Sequence, residues 1–286
     1  MPALTDLNTV REILSRHGFS FSKALGQNFL INPSVCPRMA QLCHPELDGE
    51  FAVLEIGPGI GVLTKELAQV AKRVISIELD TRLLPILKET LADYPNVTVI
   101  NGDAMKLDLA AVLKEHAEGL PVVVCANLPY YITSPLLMRL LESRLPVEAI
   151  TVLVQKEAAV RLCAQPATRE CGAVTLAVRY FAEPEILFSV SRGSFLPAPK
   201  VDSSVIRLRL HDKPPCEIAD EALFFRLVHA AFGQRRKTLS NSLGAAGYTK
   251  EQIITVLQAA ELSPTARAEE LTLAQFAALT KLFLTI

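Results

Sequence analysis

The sequence of 286 residues contains no tryptophan, and it also lacks long apolar runs and any marked excess of charge. No window approaches the 18 or so consecutive apolar residues of a membrane span, and charged residues near the start argue against a secretory signal. Half of the residues are hydrophobic, which is typical of a globular protein. These features predict a cytoplasmic protein with no membrane segment.

A C-x-x-C pair is also missing, although the chain has six cysteines. They lie in apolar, helix-like or strand-like surroundings, which favours free buried thiols over disulfides or a metal site. The five histidines are equally scattered along the chain. We therefore expect no metal.

Charge is spread unevenly along the chain despite a net value of −1. Between Phe188 and Lys237 there are nine Lys or Arg residues and five Asp or Glu residues. This surplus indicates either a face that binds a polyanion or an ordinary solvated surface, and charge alone favours neither.

Short apolar segments alternate with helical periodicity from residue 51 to residue 154. This pattern predicts an α/β fold with a parallel sheet covered on both faces, which binds ligands at the carboxyl ends of its strands. The predicted strands are Phe51–Ile56, Arg73–Glu78, Val97–Ile100, Val122–Ala126 and Ala149–Val154, with further strands at Glu185–Val190 and Ser203–Leu210.

The periodicity changes after the proline-bearing stretch at residues 211–215, because every later periodic segment is helical. We expect a Rossmann-like domain over residues 1–211, which includes an N-terminal helical extension with a helix at residues 5–17. A small all-helical domain should follow over residues 212–286.

The first predicted strand ends in Glu55-Ile56-Gly57-Pro58-Gly59-Ile60-Gly61 and leads into a helix. A dinucleotide fingerprint would place its last glycine at Val62. The G-x-G-x-G spacing, with an acid two residues before Gly57, instead resembles the S-adenosyl-L-methionine loop of Rossmann-like methyltransferases. We therefore predict that cofactor.

Two acids at the ends of the following strands extend the predicted cofactor site. Glu78 can accept hydrogen bonds from two ribose hydroxyls, although a solvated acid at a strand end is the alternative. Asp103 follows the third strand and can accept from an adenine amino group. Three successive strand ends would then line one nucleoside.

Asn127-Leu128-Pro129-Tyr130 follows the fourth strand, where the donor methyl group should point. The Asn127 side-chain oxygen and the Leu128 carbonyl can accept the two hydrogens of an adenine amine and localise its lone pair. Pro129 restricts Leu128 to extended geometry. Tyr130 can stack on the base. An ordinary turn is the alternative interpretation.

The sequence resembles the ribosomal small-subunit (16S) rRNA adenine dimethyltransferases over nearly the whole chain, because it contains a series of their motifs in the same order. The motifs are Gly26-Gln27-Asn28-Phe29-Leu30, Glu55 to Gly61, Glu78, Gly102-Asp103, Asn127 to Tyr130, Phe195 to Ser203 and Phe232 to Leu239.

The resemblance implies an S-adenosyl-L-methionine-dependent enzyme that dimethylates two adjacent adenosines in the 3′-terminal hairpin loop of 16S rRNA. Its substrate would be the immature small ribosomal subunit, and the free enzyme would be a monomer. Asn28 and Leu30 would touch the cofactor, as would Gly57, Glu78 and Asp103. Asn127 would bridge cofactor and target.

The resemblance also implies RNA contacts. Tyr130 and Phe195 would flank a flipped adenine, although a core position for Phe195 is an equal alternative. The remaining expected RNA-binding residues are Lys200, Arg235, Arg236 and Lys237. The last three would begin a helix at residues 235–243, where a solvated helix face is the alternative.

Large-subunit (23S) rRNA methyltransferases of the macrolide-resistance type share the expected architecture and chemistry. Gly26 and Asp202 favour the small-subunit group, because the resistance group usually has Ser and Asn there. An inactive RNA-binding assembly factor is disfavoured by the intact Asn127 and Glu78. A nicotinamide-dependent dehydrogenase is disfavoured by the glycine spacing.

Overall fold

The structure is a computed structural model that describes residues 3–22, 25–44, 50–234 and 236–286. The chain divides into two compact units, Met1–Ala159 with Glu185–Leu210 and Val160–Pro184 with His211–Ile286. The second unit thus includes Val160–Pro184, which the division at residue 212 did not anticipate, because periodicity reports local structure and not tertiary partners. That division into domains stays a prediction.

A seven-stranded sheet forms the centre of the first unit, in the order β4-β3-β2-β5-β6-β9-β7. Strands β2 and β5 are buried almost throughout, as expected for apolar runs covered on both faces. The strands are β2 (Ala52–Ile56), β3 (Arg73–Glu78), β4 (Val97–Asn101), β5 (Val122–Asn127), β6 (Val147–Gln155), β7 (Ala182–Val190) and β9 (Ser203–Leu210).

The sheet is mixed. The parallel sheet predicted from residues 51–154 is confirmed, whereas the sequence analysis predicts no direction for the strand at Ser203–Leu210. Strands β2 to β6 pair in parallel, but β9 runs antiparallel to β6. The apolar character of Ser203–Leu210 indicates a buried strand, whereas the direction of that strand depends on the path of the preceding chain.

Several helices of the chain begin at a residue whose side chain caps the helix N-terminus. Asp6 caps the first by accepting a hydrogen bond from the Thr9 N–H at 2.8 Å, and Asp108 caps the fifth through the Ala111 N–H at 3.0 Å. The helices from the start of the chain to β7 are α1 (Leu7–Arg16), α2 (Val35–Cys43), α3 (Val62–Val70), α4 (Leu84–Thr90), α5 (Leu109–His116), α6 (Thr133–Glu142), α7 (Lys156–Leu162) and α8 (Ala173–Phe181).

Two short strands join distant parts of the first unit. Strand β1 (Phe29–Leu30) pairs antiparallel with β8 (Phe195–Leu196), so that Leu30 lies opposite Phe195. The sequence did not predict this pair, because two residues are too few to show a period.

The second unit is built around a helical core that includes Phe224, Leu227 and Phe276. Its C-terminal helices are α9 (Glu221–Phe232), α10 (Leu239–Ala245), α11 (Lys250–Ala259) and α12 (Leu273–Phe283). Within the described ranges, no helix is long and apolar enough to cross a membrane.

The start of α10 corrects the predicted helix at residues 235–243. The side chain of Thr238 accepts a hydrogen bond from the Asn241 N–H, so the helix begins at Leu239. Arg236 and Lys237 therefore precede the helix. Arg235 lies outside the described residues.

Candidate functional site

A cavity lies at the carboxyl ends of β2 to β5, where a ligand of a parallel α/β sheet is expected. Five stretches of the first unit line it: residues 25–30, residues 55–60 with 62 and 63, residues 77–79 with 83, residues 102–105 and residues 127–132. The cavity therefore brings together the predicted cofactor residues Asn28, Leu30, Gly57, Glu78 and Asp103 with the predicted acceptor residues Asn127, Leu128 and Tyr130.

The glycine loop after β2 has a backbone that side chains rarely tolerate. Gly57 has φ 73° and Gly59 has φ 62°, both in the left-handed region. A Cβ on Gly59 would lie 3.1 Å from the Phe29 ring, whereas one on Gly57 would meet nothing within 4 Å. The loop can thus offer its main chain to a ligand on one side while Phe29 packs against the other.

Glu55, at the start of this loop, is a buried carboxyl group that lines the cavity. Its Oε2 accepts hydrogen bonds from Thr64 Oγ1 and Ser76 Oγ, both at 2.7 Å. Burial raises the pKa of Glu55 to about 7, although the two hydroxyl hydrogen bonds oppose the shift. Glu55 therefore exchanges its proton near neutral pH.

Glu78 ends β3 with its carboxylate facing the glycine loop. Its Oε1 accepts from the Asp80 N–H at 2.7 Å and its Oε2 from the Gly59 N–H at 3.3 Å. Burial raises the pKa of Glu78, and these main-chain hydrogen bonds counteract the rise. Each oxygen keeps a further acceptor position, which suits a ribose diol.

Asp103 lies one residue beyond Gly102, after β4. Its Oδ1 accepts from the Met105 N–H at 2.9 Å, and its Oδ2 lies 3.7 Å from Lys106 Nζ. A Cβ on Gly102 would come within 2.6 Å of the Leu107 side chain, so this tight turn favours glycine. The turn holds Asp103 at the cavity, where a second acceptor suits an amino group.

The side chain of Asn127 is fixed by the main chain of the N-terminal segment. Its Nδ2 donates to the Asn28 carbonyl at 3.2 Å. Because a carbonyl can only accept, this contact assigns Nδ2 to that side and directs the acceptor Oδ1 away from it. The next residue, Leu128, has a buried side chain and donates its N–H to the Leu153 carbonyl at 3.3 Å.

Tyr130 lies beside Asn127 at the mouth of the site. Its hydroxyl lies 2.7 Å from Ser203 Oγ in β9, and the ring is half-buried. Burial raises the pKa of the Tyr130 phenol, so it stays protonated at neutral pH. The neighbouring Tyr131 is 54% exposed and packs against Gly26.

Gln27 lines the cavity and Asp80 binds its side chain, but neither residue is among the predicted site residues. Gln27 Oε1 accepts from the Ser22 N–H at 2.9 Å, while its Nε2 donates to Asp80 Oδ2 at 2.8 Å. Asp80 also binds Arg82 through two contacts of 2.8 and 2.6 Å, and this guanidinium lowers the pKa of Asp80. Gln27 belongs to the Gly26–Leu30 motif that carries the family resemblance, but the sequence analysis predicts no role for its side chain.

The predicted RNA-binding residues differ in exposure. Phe195 is 3% exposed and belongs to the core cluster of the first unit. This agrees with the alternative interpretation of Phe195 as a core residue. Lys200, Arg236 and Lys237 are exposed. The structure says nothing about Arg235, and contact of any of these residues with RNA stays a prediction.

Thiols and histidines play no part in this geometry. Cys36, Cys43, Cys125, Cys171 and Cys216 are free thiols, and burial raises the pKa of Cys36 and of Cys171. Among the described residues, no group of three or more His, Cys, Asp or Glu side chains is arranged to hold a metal ion.

Comparisons with known proteins agree with this geometry. The family model described as "Ribosomal RNA adenine dimethylase" matches residues 18–284. "Ribosomal RNA small subunit methyltransferase A" of Bacillus mycoides (strain KBAB4) is 48% identical over 277 residues, which cover 95% of this chain and 94% of that protein. The protein of the same name from Bacillus cereus (strain B4264) matches with the same identity and coverage.

Two solved structures are similar in fold. A dimethyladenosine transferase from Plasmodium falciparum has a TM-score of 0.72 at 26% identity, over 88% of this chain and 95% of that one. The 23S rRNA methyltransferase ErmE has a TM-score of 0.66 at 29% identity, over 90% of this chain and 99% of that one.

These matches confirm both the predicted Rossmann-like methyltransferase fold and the predicted family. They span nearly the whole chain, including every stretch that lines the cavity. The chain belongs to the ribosomal RNA adenine dimethylase family of S-adenosylmethionine-dependent enzymes.

Proposed function

We propose that this protein dimethylates the exocyclic amino groups of two adjacent adenosines in the 3′-terminal hairpin loop of 16S rRNA, with S-adenosyl-L-methionine as methyl donor. The small-subunit relatives at 48% identity support this target. The observation that carries the chemistry is the hydrogen bond from Asn127 Nδ2 to the Asn28 carbonyl, because it presents Oδ1 as an acceptor for an amine.

The residues around the cavity fit the methyl donor. Glu78 offers carboxylate acceptors to the ribose hydroxyls, and Asp103 offers an acceptor to the adenine amino group. Gly57, where a Cβ would meet nothing within 4 Å, leaves room for a close approach to the main chain. Asn28 and Leu30 line the cavity from the N-terminal segment and complete the proposed contacts.

S-adenosylmethionine supplies an electrophilic methyl group. The protein has to prepare the adenine amine, whose lone pair is delocalised into the ring. Asn127 Oδ1 and the Leu128 carbonyl oxygen each accept a hydrogen bond from one N–H group of the amine. These two hydrogen bonds localise the lone pair on the nitrogen. The nitrogen loses a proton only after it becomes cationic, so alignment and electrostatics supply most of the rate.

The target base has to leave its stack to reach this pocket. Tyr130 stacks on the extruded base, a contact worth about 1–3 kcal/mol at other base-stacking sites. Lys200 and the basic residues Arg235, Arg236 and Lys237 contact RNA phosphate. A role for Phe195 beside the base is less well supported, because its ring is buried.

The biological substrate is 16S rRNA within the immature small subunit, and the free enzyme is a monomer. Assembly of bacterial subunits would place the reaction in the cytoplasm. The absence of a membrane-spanning helix among the described residues is compatible with that location.

Methylation of 23S rRNA is the second candidate, and the fold shared with ErmE favours it. Methyl transfer from labelled S-adenosylmethionine to unmethylated small subunits, large-subunit RNA and free 16S rRNA separates the two. We expect dimethyladenosine in the small subunit, formed at least about 100-fold more slowly with Asn127→Ala. Label confined to large-subunit RNA would refute the assignment.

A further inference from the structure

Three exposed basic residues of the first unit lie around Asp202. The Lys156 N–H donates to the Asp202 carbonyl at 3.0 Å, and the Arg192 N–H donates to Asp202 Oδ1 at 2.9 Å. Lys200 lies two residues before Asp202, and its carbonyl accepts from Arg192 Nη1 at 3.5 Å. We call Lys156, Arg192 and Lys200 the basic rim.

The described part of the chain places no close ion pair on the positive charges of the basic rim. Within the described ranges, none of its three side chains has a carboxylate close enough for an ion pair. Asp202 and the exposed Glu157 lie nearby in the chain, but Asp202 Oδ1 already accepts a main-chain N–H. A small positive excess of this kind suits a few phosphates better than a long polyanion.

The basic rim borders the proposed acceptor site. Ser203 follows Asp202 directly and holds the Tyr130 hydroxyl at 2.7 Å. Gln155, immediately before Lys156, pairs with Ser203 across β6 and β9. Main-chain pairing and one hydrogen bond therefore connect the basic rim to the ring on which we expect the base to stack.

We propose that the basic rim binds the RNA phosphates that flank the adenosine being methylated. The proposal rests on the proposed function and adds Lys156 and Arg192 to the expected RNA contacts. A flipped nucleotide rotates about its backbone, so the phosphates on either side have to be held while the base is out of its stack. The link to Tyr130 through Ser203 puts the basic rim beside the ring on which the flipped base is expected to stack.

The test compares Lys156→Gln, Arg192→Gln and the triple glutamine variant of the basic rim with Lys114→Gln as a charge-matched control. Lys114 is exposed near the end of α5, which leads back to the amino end of β5 and away from the cavity. A hairpin RNA with the target loop measures binding across salt concentrations. Unmethylated small subunits provide KM and kcat.

Each phosphate contact with single-stranded RNA contributes about 0.7 to the slope of log affinity against log salt. We therefore expect the triple variant to lower the slope by about 2 and each single variant by about 0.7. KM for subunits should rise roughly tenfold in the triple variant while kcat changes little. Lys156→Arg keeps the charge and should therefore restore the part of the salt slope that Lys156→Gln loses.

Wild-type salt slopes in the single and triple glutamine variants would overturn the proposal. A higher KM for subunits with an unchanged slope on protein-free RNA would assign the basic rim to a ribosomal protein and would also overturn it. If the triple variant fails to fold, the single variants decide. A wild-type enzyme that methylates no 16S rRNA refutes the proposed function, whereas the hairpin slopes still test the basic rim.

Discussion

The amide of Asn127 and the main chain of Asn28 are joined by one hydrogen bond of 3.2 Å, between Nδ2 and the carbonyl oxygen. This contact connects the end of β5 with the segment that precedes β1. It leaves Asn127 with only its oxygen to offer an incoming amine. The N-terminal segment thus contributes to orienting the acceptor group as well as lining the cofactor cavity.

Asn127→Ala should lower kcat by about 100-fold to 1,000-fold, the loss typical when a preorganised polar group is removed from an active site. The binding of hairpin RNA should remain near that of the wild type, because the basic residues are untouched. Single-turnover methyl transfer and RNA binding are the two measurements. Loss of both, together with a lower melting temperature, would instead indicate a structural role.

Gln27→Ala should weaken cofactor binding about tenfold, because it removes a hydrogen bond to a charged carboxylate, a class of interaction worth about 1.5–3 kcal/mol. The side chain of Gln27 joins the Ser22 N–H to Asp80 and so holds the segment that forms one wall of the cavity. Calorimetric titration with S-adenosylmethionine measures the effect.

Gln69→Ala is the matched control for Gln27. Gln69 is exposed on α3, and its side chain donates a local hydrogen bond to the Lys65 carbonyl one turn earlier, at 3.3 Å. Equal cofactor affinity in the two variants would mean that the pairing of β1 with β8 holds the segment without Gln27.

Glu55→Gln should make the protein more stable at pH 8. Because the pKa of Glu55 rises from 4.5 to about 7 on folding, the unfolded chain loses this proton first as pH increases. Stability therefore falls between these two values and stays lower above pH 7. Glutamine has no proton to lose and still accepts from Thr64 and Ser76, so the gain reaches at most about 3 kcal/mol.

Urea unfolding of the wild type and Glu55→Gln at pH 4, 6 and 8 measures this difference. The pKa of Glu78 is also raised, so both proteins should keep some slope of the same sign. The informative quantity is the difference between them, which should favour the variant increasingly from pH 4 to pH 8. A constant difference would show that Glu55 ionises normally in the folded protein.

The strand-end residues could be predicted because apolar runs locate buried strands and parallel strands end at the same edge of a sheet. Glu78, Asp103 and Asn127 accordingly line one cavity. The antiparallel direction of β9 and the pairing of Leu30 with Phe195 depend on contacts between distant segments, which local periodicity does not encode.

Capping explains a second difference between sequence and structure. The run from residue 235 to residue 243 has helical character, but Thr238 supplies the side chain that ends the turn and starts α10. Because Thr is a preferred N-cap residue, Thr238 in the sequence is itself a signal that the helix begins at Leu239. The hydrogen bond between Gln27 and Asp80 is harder to predict from the sequence, because an amide side chain in a loop has many possible partners.

Phe195→Ala separates the two interpretations of this residue. A buried phenylalanine replaced by alanine typically costs about 3–5 kcal/mol of folding free energy. The ring is 3% exposed and its main chain pairs with Leu30, so we expect a loss of this size in urea unfolding. A residue that only flanked the target base would leave stability unchanged and raise KM for the RNA.

Tyr130→Ala is the comparison for Phe195→Ala, because the Tyr130 ring is only half-buried at the mouth of the site. It should destabilise the protein less and lower kcat/KM for small subunits more, once both are measured at a temperature where each variant is folded. Since stacking contributes about 1–3 kcal/mol, the loss should be about tenfold to 100-fold. If Phe195→Ala instead keeps wild-type stability and loses activity to the same extent as Tyr130→Ala, its ring must leave the core to meet the base.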